Sequence, residues 1–279
     1  MPGHKKIISN VVVYALLILI AALAVIPLWW MISTSLDRQA VARLPFPPRF
    51  WPEEFSTWGY YVTLRNMNIL RYYVNTFIVA GGTILASLTT SMLAAYSFSK
   101  LRFKGYKICM MLIVCVLMVP TEVIMIPQYL IFVTLGLTDS YWALWLPGLC
   151  FVFGTFFGKK YMDSIPDSLR EAAKIDGAGE FYIFSRIFLP LCKAIIATLS
   201  ILLFLFAWND LLWPMLILRT NSLHTIQIGL SVMTSDILQG FLPASHLAAT
   251  LLSVVPVFII YMILQRYIVA SISMSGVKQ

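Results

Sequence analysis

Charge is what this chain has least of. Only 11% of its 279 residues are Asp, Glu, Lys or Arg, against about 25% in ordinary soluble domains. Hydrophobic residues make up 60%, and the mean hydropathy is +0.85. So little charge cannot cover a water-facing surface, which counts against a soluble enzyme, a disordered protein or a secreted disulfide scaffold. Cysteine is scarce too. Cys109, Cys115, Cys150 and Cys192 show no C-x-x-C spacing and read as small buried hydrophobes rather than redox or metal groups. His4, His224 and His246 lie far apart and form no ligand motif. There is no G-x-x-x-x-G-K-[ST] loop to cradle phosphates, and no paired catalytic constellation.

What the chain does have is long apolar runs. Val11 to Met31 is uninterrupted by charge and ends near Trp29 and Trp30; at about 1.5 Å per residue it crosses a hydrocarbon core of about 30 Å. That is too long for a signal peptide, despite the cleavage-like Ala22-Leu23-Ala24, so it reads as a first membrane helix. Five further spans are expected over Tyr73–Phe98, Ile108–Val133, Tyr141–Phe157, Ile195–Leu218 and Leu247–Ile268, with kinks at Pro120, Pro127, Pro214 and Pro256. The net charge of +8 does not describe a nucleic-acid binder, because the cations are not clustered on one face. With both termini cytoplasmic, fourteen of the twenty Lys and Arg fall inside, which is the positive-inside pattern of a six-helix chain. Residues 36–71, with Pro45, Pro47, Pro48 and Pro52 among aromatics, are expected to run extended along the membrane surface. The loop 219–246 either folds back on the outer mouth or meets a partner.

The loop between the fourth and fifth spans is the most informative stretch. Ser164 and Asp167 form a capping-box pattern that opens a helix over Leu169–Asp176, and Gly177 is placed to end it in the left-handed conformation. A second short helix is expected from Glu180 to Phe188, stopped by Leu189-Pro190. From the residues alone this is either an interfacial hairpin on the headgroups or a compact knob whose small residues let another backbone approach. Glu171, Lys174, Asp176, Glu180 and Arg186 would then supply polar contacts around that approach.

The string Glu171-Ala172-Ala173-Lys174-Ile175-Asp176-Gly177-Ala178, with Ile187-Phe188-Leu189-Pro190 after it, resembles the EAA motif of ABC importer permeases in its carbohydrate-uptake form. Phe206 to Pro214, Asn75-Thr76, Ile126-Pro127 and Gln265 to Val269 fit the same pattern, which is most similar to the smaller, maltose-type permease partner. One departure is Ala194, where the family often has a second proline. The resemblance implies an all-α, six-span type I importer permease in a bacterial or archaeal cytoplasmic membrane. It makes residues 1–279 a single transmembrane domain: first helix and outer loop over 1–72, core helices over 73–268, a coupling loop over 162–190 and a tail over 269–279. It implies a permease that is not itself an enzyme, working with a second homologous permease, two ATPase subunits that bind ATP and Mg, and an extracellular sugar-binding protein. Carried over by position, Glu171, Ala172, Ala173, Asp176, Gly177, Ala178 and Arg186 would contact the ATPase.

Glu122 and Asp210 interrupt apolar helices, where a carboxylate costs about 2.5–3.5 kcal/mol at the bilayer centre on insertion scales. With Gln128, Trp208, Asn209 and Trp213 they are candidates for a translocation path, aromatic platforms beside hydrogen-bonding groups; the alternative is that they cap kinks or meet the partner subunit. Asn75 is a weaker candidate. A permease for another polar solute and a lone ion-coupled transporter are the competing functions.

Overall fold

The computed structural model describes residues 2–41, 43–235 and 243–276; the loop tip 236–242 and the end of the tail, with Lys278, lie outside the described residues. Among the described residues the chain is helical, with one isolated antiparallel bridge, Asp37 to Phe55, and no strand. In chain order the helices are α1 (Pro2–Ser35), α2 (Trp58–Asn66), α3 (Ile69–Tyr96), α4 (Tyr106–Val116), α5 (Thr121–Thr134), α6 (Trp142–Trp145), α7 (Val152–Asp163), α8 (Ser168–Ile175), α9 (Glu180–Ile183), α10 (Leu189–Leu191), α11 (Lys193–Asn209), α12 (Leu212–Ile217), α13 (Ile226–Ser235) and α14 (Pro243–Gly276).

Three stretches are long and apolar enough to cross a bilayer alone: Asn10–Ser35, Ile69–Leu101 and Pro243–Ile263. Three more arise as bent pairs, α4 with α5 at 100°, Trp142–Cys150 with α7 at 41°, and Glu180–Leu191 with α11 at 77°, which makes six if each pair is one span.

The bends have local causes. α4 ends at Val116, four residues before Pro120, the distance at which a proline ring strikes a helical carbonyl and withholds its hydrogen bond. Pro214 acts over a similar distance: α11 ends at Asn209 and Asp210 turns extended, so the break precedes the proline rather than falling on it. Pro214 itself sits in the first turn of α12, where its missing N–H had no partner to lose. Pro127 and Pro256 lie inside α5 and α14, which run on past them. Pro190 likewise does not stop its helix. The preceding turn, Phe184–Phe188, is a wide π-turn in which Leu189 N–H reaches the Phe184 carbonyl, and the chain runs on through α10 to break at Cys192.

The chain divides into two compact units. One comprises Met1–Ile69 and Gly229–Pro256. Within it the segment after α1 folds back instead of running extended: Leu36 and Arg38 bond to Ser56 and Glu54, and the Trp29 indole donates to the Phe50 carbonyl (2.9 Å) beside an edge-on Trp51. Helical structure flanks the proline-rich stretch on both sides, as a 3-10 turn over Arg38–Val41 before it and as α2 after it. A Cβ at Gly59 would lie 2.9 Å from the Ala244 carbonyl oxygen, so α2 passes backbone to backbone there, and Thr63 Oγ1 donates to Ser245 O at 2.8 Å.

The other unit comprises Leu70–Ile228 and Val257–Gln279. One of its cores joins the C-terminal part of α3 to α7 and the 173–199 stretch through Met92, Ala95, Tyr96, Met162, Ile183 and Phe188. α3 and α7 come close because Gly158 faces Met92 and Ala95, where an added Cβ would lie 2.6 Å and 3.0 Å away. A second core gathers Val79, Phe132, Leu144 and Ile217. Of the cysteines only Cys192 is in a core; Cys109, Cys115 and Cys150 are exposed on this chain's surface, because lipid or a neighbouring subunit can cover an apolar face that water could not.

Candidate functional site

The knob expected between the fourth and fifth spans is present, built differently at its start. Ser164 belongs to the end of α7, its hydroxyl donating to the Tyr161 carbonyl at 2.7 Å. The capping box does not form. The Asp167 carboxylate, which would have completed it, instead accepts from Lys100 Nζ at 2.6 Å, and α8 begins at Ser168. That lysine also donates to Ile165 O (2.6 Å) and lies 5.3 Å from the centre of the Phe188 ring; its side chain is 1% exposed. The hydrogen bond from Lys100, with help from the charges of Lys100, Arg102 and Arg170, holds the Asp167 carboxyl below the usual aspartate range.

The end of α8 agrees with expectation. Gly177 has φ +80°, its N–H reaches Lys174 O, and Ala178 N–H reaches back to Ala173 O at 2.9 Å, the paired bonds of a Schellman cap. Glu180 then accepts from Arg170 through both Nε and Nη2, from Lys174 (2.8 Å) and from the Tyr96 hydroxyl (2.7 Å). Glu180 and Lys174, expected to supply contacts to a partner, are thus paired with one another across the joint, Lys174 remaining exposed.

These bonds decide which face is outward. Glu171, Ala172, Asp176, Gly177 and Arg186 are on the solvent side of α8 and its joint, at least partly open, and Ala178 is half-buried. Ala173 is not on that face: it is 8% exposed and packs into the core below, so it leaves the set of contact residues. Three apolar residues outside the expected set are exposed beside it, Ile175 (87%), Phe181 (74%) and Tyr182. Their signal was available in the pattern, since apolar residues at 175, 181 and 182 fall off the stripe that packs Ala173, Ile183 and Phe184 inward.

The path candidates separate. Trp208 is 1% exposed and sits among Phe77 (5.1 Å), Phe204 (5.3 Å) and Tyr73 (6.1 Å), so it is a core residue rather than an open platform. Trp213 donates to Ala143 O at 3.0 Å and meets Phe132 edge-on. Asp210 accepts a long bond from Trp213 N–H (3.4 Å), holding the break between α11 and α12. Asn209 is exposed, with its amide returned to Leu205 O (2.8 Å). Glu122 is exposed in the first turn of α5 and Gln128 is half-buried further along. The structure therefore joins Trp208 to Asp210 and Trp213 only as parts of the broken helix, with structural contacts for each.

Asn75 and Thr76 have a role that sequence reading does not assign. Asn75 Nδ2 donates to Ser222 O and His224 O, both at 2.9 Å; Thr76 Oγ1 accepts from Ile226 N–H at 2.9 Å; Arg71 Nε also donates to Ser222 O. At the start of the same loop Asp139, itself at φ +59°, accepts from Arg219 N–H and Thr220 N–H (2.9 Å each) and from the Thr220 hydroxyl. The Thr220 hydrogen bonds lower its carboxyl below the ordinary aspartate value.

A helical chain with several stretches long and apolar enough to cross a bilayer is by architecture an integral membrane protein. Residues 87–274 match the family described as "binding-protein-dependent transport system inner membrane component", and the chain belongs to that family. It is 30% identical over 265 residues to the arabinooligosaccharides transport system permease protein AraQ of Halalkalibacterium halodurans, covering 93% of each chain. It is 31% identical over 275 residues to the sn-glycerol-3-phosphate transport system permease protein UgpE of Rhizobium meliloti, covering 95% and 96%. Among solved structures it is similar to a chain of a bacterial ABC transporter involved in the import of the acidic polysaccharide alginate, with a TM-score of 0.81, 26% identity and coverage of 93% and 96%. The fold is that of an ABC importer permease, an integral membrane transport component and not an enzyme.

Proposed function

We propose that this chain is one of two permease subunits of an ATP-driven importer for a sugar or oligosaccharide, coupled to separate ATPase subunits through the 162–190 loop. The observation that carries the coupling is the outward face of the knob, where Glu171, Ala172 and Asp176 stand beside the exposed apolar side chains of Ile175, Phe181 and Tyr182 around the tight turn at Gly177. A protruding apolar tip rimmed by charge suits a groove on another protein better than water. The sugar class is supported by the names of the relatives, an arabinooligosaccharide permease and an alginate importer, while the sn-glycerol-3-phosphate permeases mark the wider range of polar, hydroxylated solutes.

ATP and Mg belong to the partner chains. Closure of the ATPase pair on ATP favours one permease state only as far as the docked knob fits that state better than the other. Alternating access results when the two permease subunits rock together, with both termini of this chain in the cytoplasm as the distribution of Lys and Arg suggests. An extracellular binding protein delivers the solute to the opposite side. The structural ties of Trp208, Asp210 and Trp213 favour a division of labour in which the second permease holds most of the solute.

Ala172→Trp tests the docking. Residue 172 is exposed within helical backbone, so the substitution changes surface shape without straining the chain. The ATPase is expected to co-purify with the parent chain and to be lost, or to hydrolyse ATP without uptake, with Ala172→Trp; unchanged uptake would overturn the reading.

A further inference from the structure

The knob is fastened at both ends to one membrane helix. At its start, Lys100 holds Ile165 O and the Asp167 carboxylate, while its neighbour Ser99 donates to Asp163 at 2.7 Å. At its second joint, the Tyr96 hydroxyl holds Glu180, the residue that also gathers Arg170 and Lys174 from α8. Between these two points the Tyr96 ring packs on Phe184 (5.4 Å) and Phe188 (5.3 Å), and Lys100 also lies over Phe188. Tyr96 and Lys100 are four residues apart, about one turn along the inner end of the 69–101 helix, so both fastenings leave from the same side of it.

A desolvated ammonium with two oxygen partners at 2.6 Å is costly to separate from them, because the Lys100 charge, on a side chain only 1% exposed, would be left buried and unpaired; the Asp167 carboxylate is itself half exposed. An ordinary hinge would be built the other way, from exposed, weakly bonded backbone. We infer that Lys100 and Tyr96 are positioning residues that make the 168–188 knob and the inner end of the 69–101 helix a single rigid body. A displacement applied at the knob is thereby delivered to that helix directly. This rests on the coupling role proposed above and adds the route by which the movement enters the membrane.

The test uses the complete transporter, this chain with its permease and ATPase partners, carrying spin labels at Leu93→Cys and at Leu169→Cys, a knob position outside the proposed docking face. Both positions are exposed and they lie one in the helix and one in the knob. Assembly is established first by co-purification and ATP hydrolysis; failure there would strike the coupling role itself rather than the rigid joint. In the assembled complex the distance between labels is expected to be narrow and equal without nucleotide and with a non-hydrolysable ATP analogue. Lys100→Met should broaden it while the complex stays assembled, and Lys100→Arg should restore it. Tyr96→Phe, which removes only a hydroxyl, should broaden it less and guards against a Lys100→Met chain that fails to fold. A nucleotide-dependent change of about 5 Å in the parent complex, one helical turn, would overturn the inference, as would an unchanged narrow distribution in both Lys100→Met and Tyr96→Phe.

Discussion

The amide of Asn75 donates to the carbonyl of His224, 149 positions further on, at 2.9 Å, and to Ser222 at the same distance. One side chain near the N-terminal end of α3 thus donates to two carbonyls of a loop far along the chain. Asn75→Ala should leave the His224 carbonyl unpaired and the Ser222 carbonyl held by Arg71 alone, destabilising the 221–226 segment by about 1–3 kcal/mol. Faster hydrogen exchange confined to that segment is the expected signature; uniform protection would count against the tie.

Asp139 makes the neighbouring stretch sensitive to acid. Its carboxyl titrates below the ordinary aspartate value in the folded chain, chiefly through the Thr220 hydrogen bonds. A depressed folded value stabilises above the unfolded value of about 4 and is lost as pH falls through the folded value. Loosening of residues 219–220 is therefore expected below about pH 4, and Asp139→Asn should abolish that pH dependence, read by exchange or by quenching of a label at Arg219→Cys.

Gly177 and Ala172 separate two effects that the EAA pattern confounds. Nothing lies within 4 Å of a Cβ built at Gly177, so a larger residue there meets no clash within the chain. Its φ of +80° is the obstacle, at about 1–2 kcal/mol for an L-residue. Gly177→Asn should be milder than Gly177→Val in thermal stability of the isolated chain, because Asn tolerates that conformation. Equal losses for the two would show that strain is not the cause.

Gly82 is a packing glycine of the other kind. A Cβ there would lie 2.2 Å from the Trp145 indole, whose N–H bonds Val79 O at 3.2 Å. Gly82→Ala should unseat that indole at a cost of about 1–3 kcal/mol. A shift in tryptophan fluorescence together with a lower melting temperature checks it.

Trp208 carries a prediction opposite to the one its composition invites. As a fully buried ring its truncation to Ala should cost about 3–5 kcal/mol of stability. Trp208→Phe, which keeps the aromatic cluster, should leave uptake near normal. A selective loss of solute affinity with Trp208→Phe and normal stability would return it to the translocation path.

The parts legible in the sequence are those whose cause is local. Gly177 ends α8 in the left-handed conformation, and Pro120 breaks the third span, because each acts within four residues of itself. Asp167 is misplaced by sequence alone because its partner, Lys100, is 67 positions away and no local pattern announces it. Trp208 is misplaced for a related reason: a tryptophan beside Asn and Asp looks the same in sequence whether its ring faces a pore or Phe77. Pro190 shows a third kind of difference, where a π-turn just upstream rearranges the hydrogen bonds and lets the helix pass through.

None of residues 10–32 of α1 is buried by the rest of the chain, so in the isolated subunit the residence of this helix in the bilayer is set by its own hydropathy. Such a helix can leave the ribosome and partition into lipid before any later segment has been made. Its apolar length alone is enough to hold it in lipid, an anchor that requires no folded neighbour.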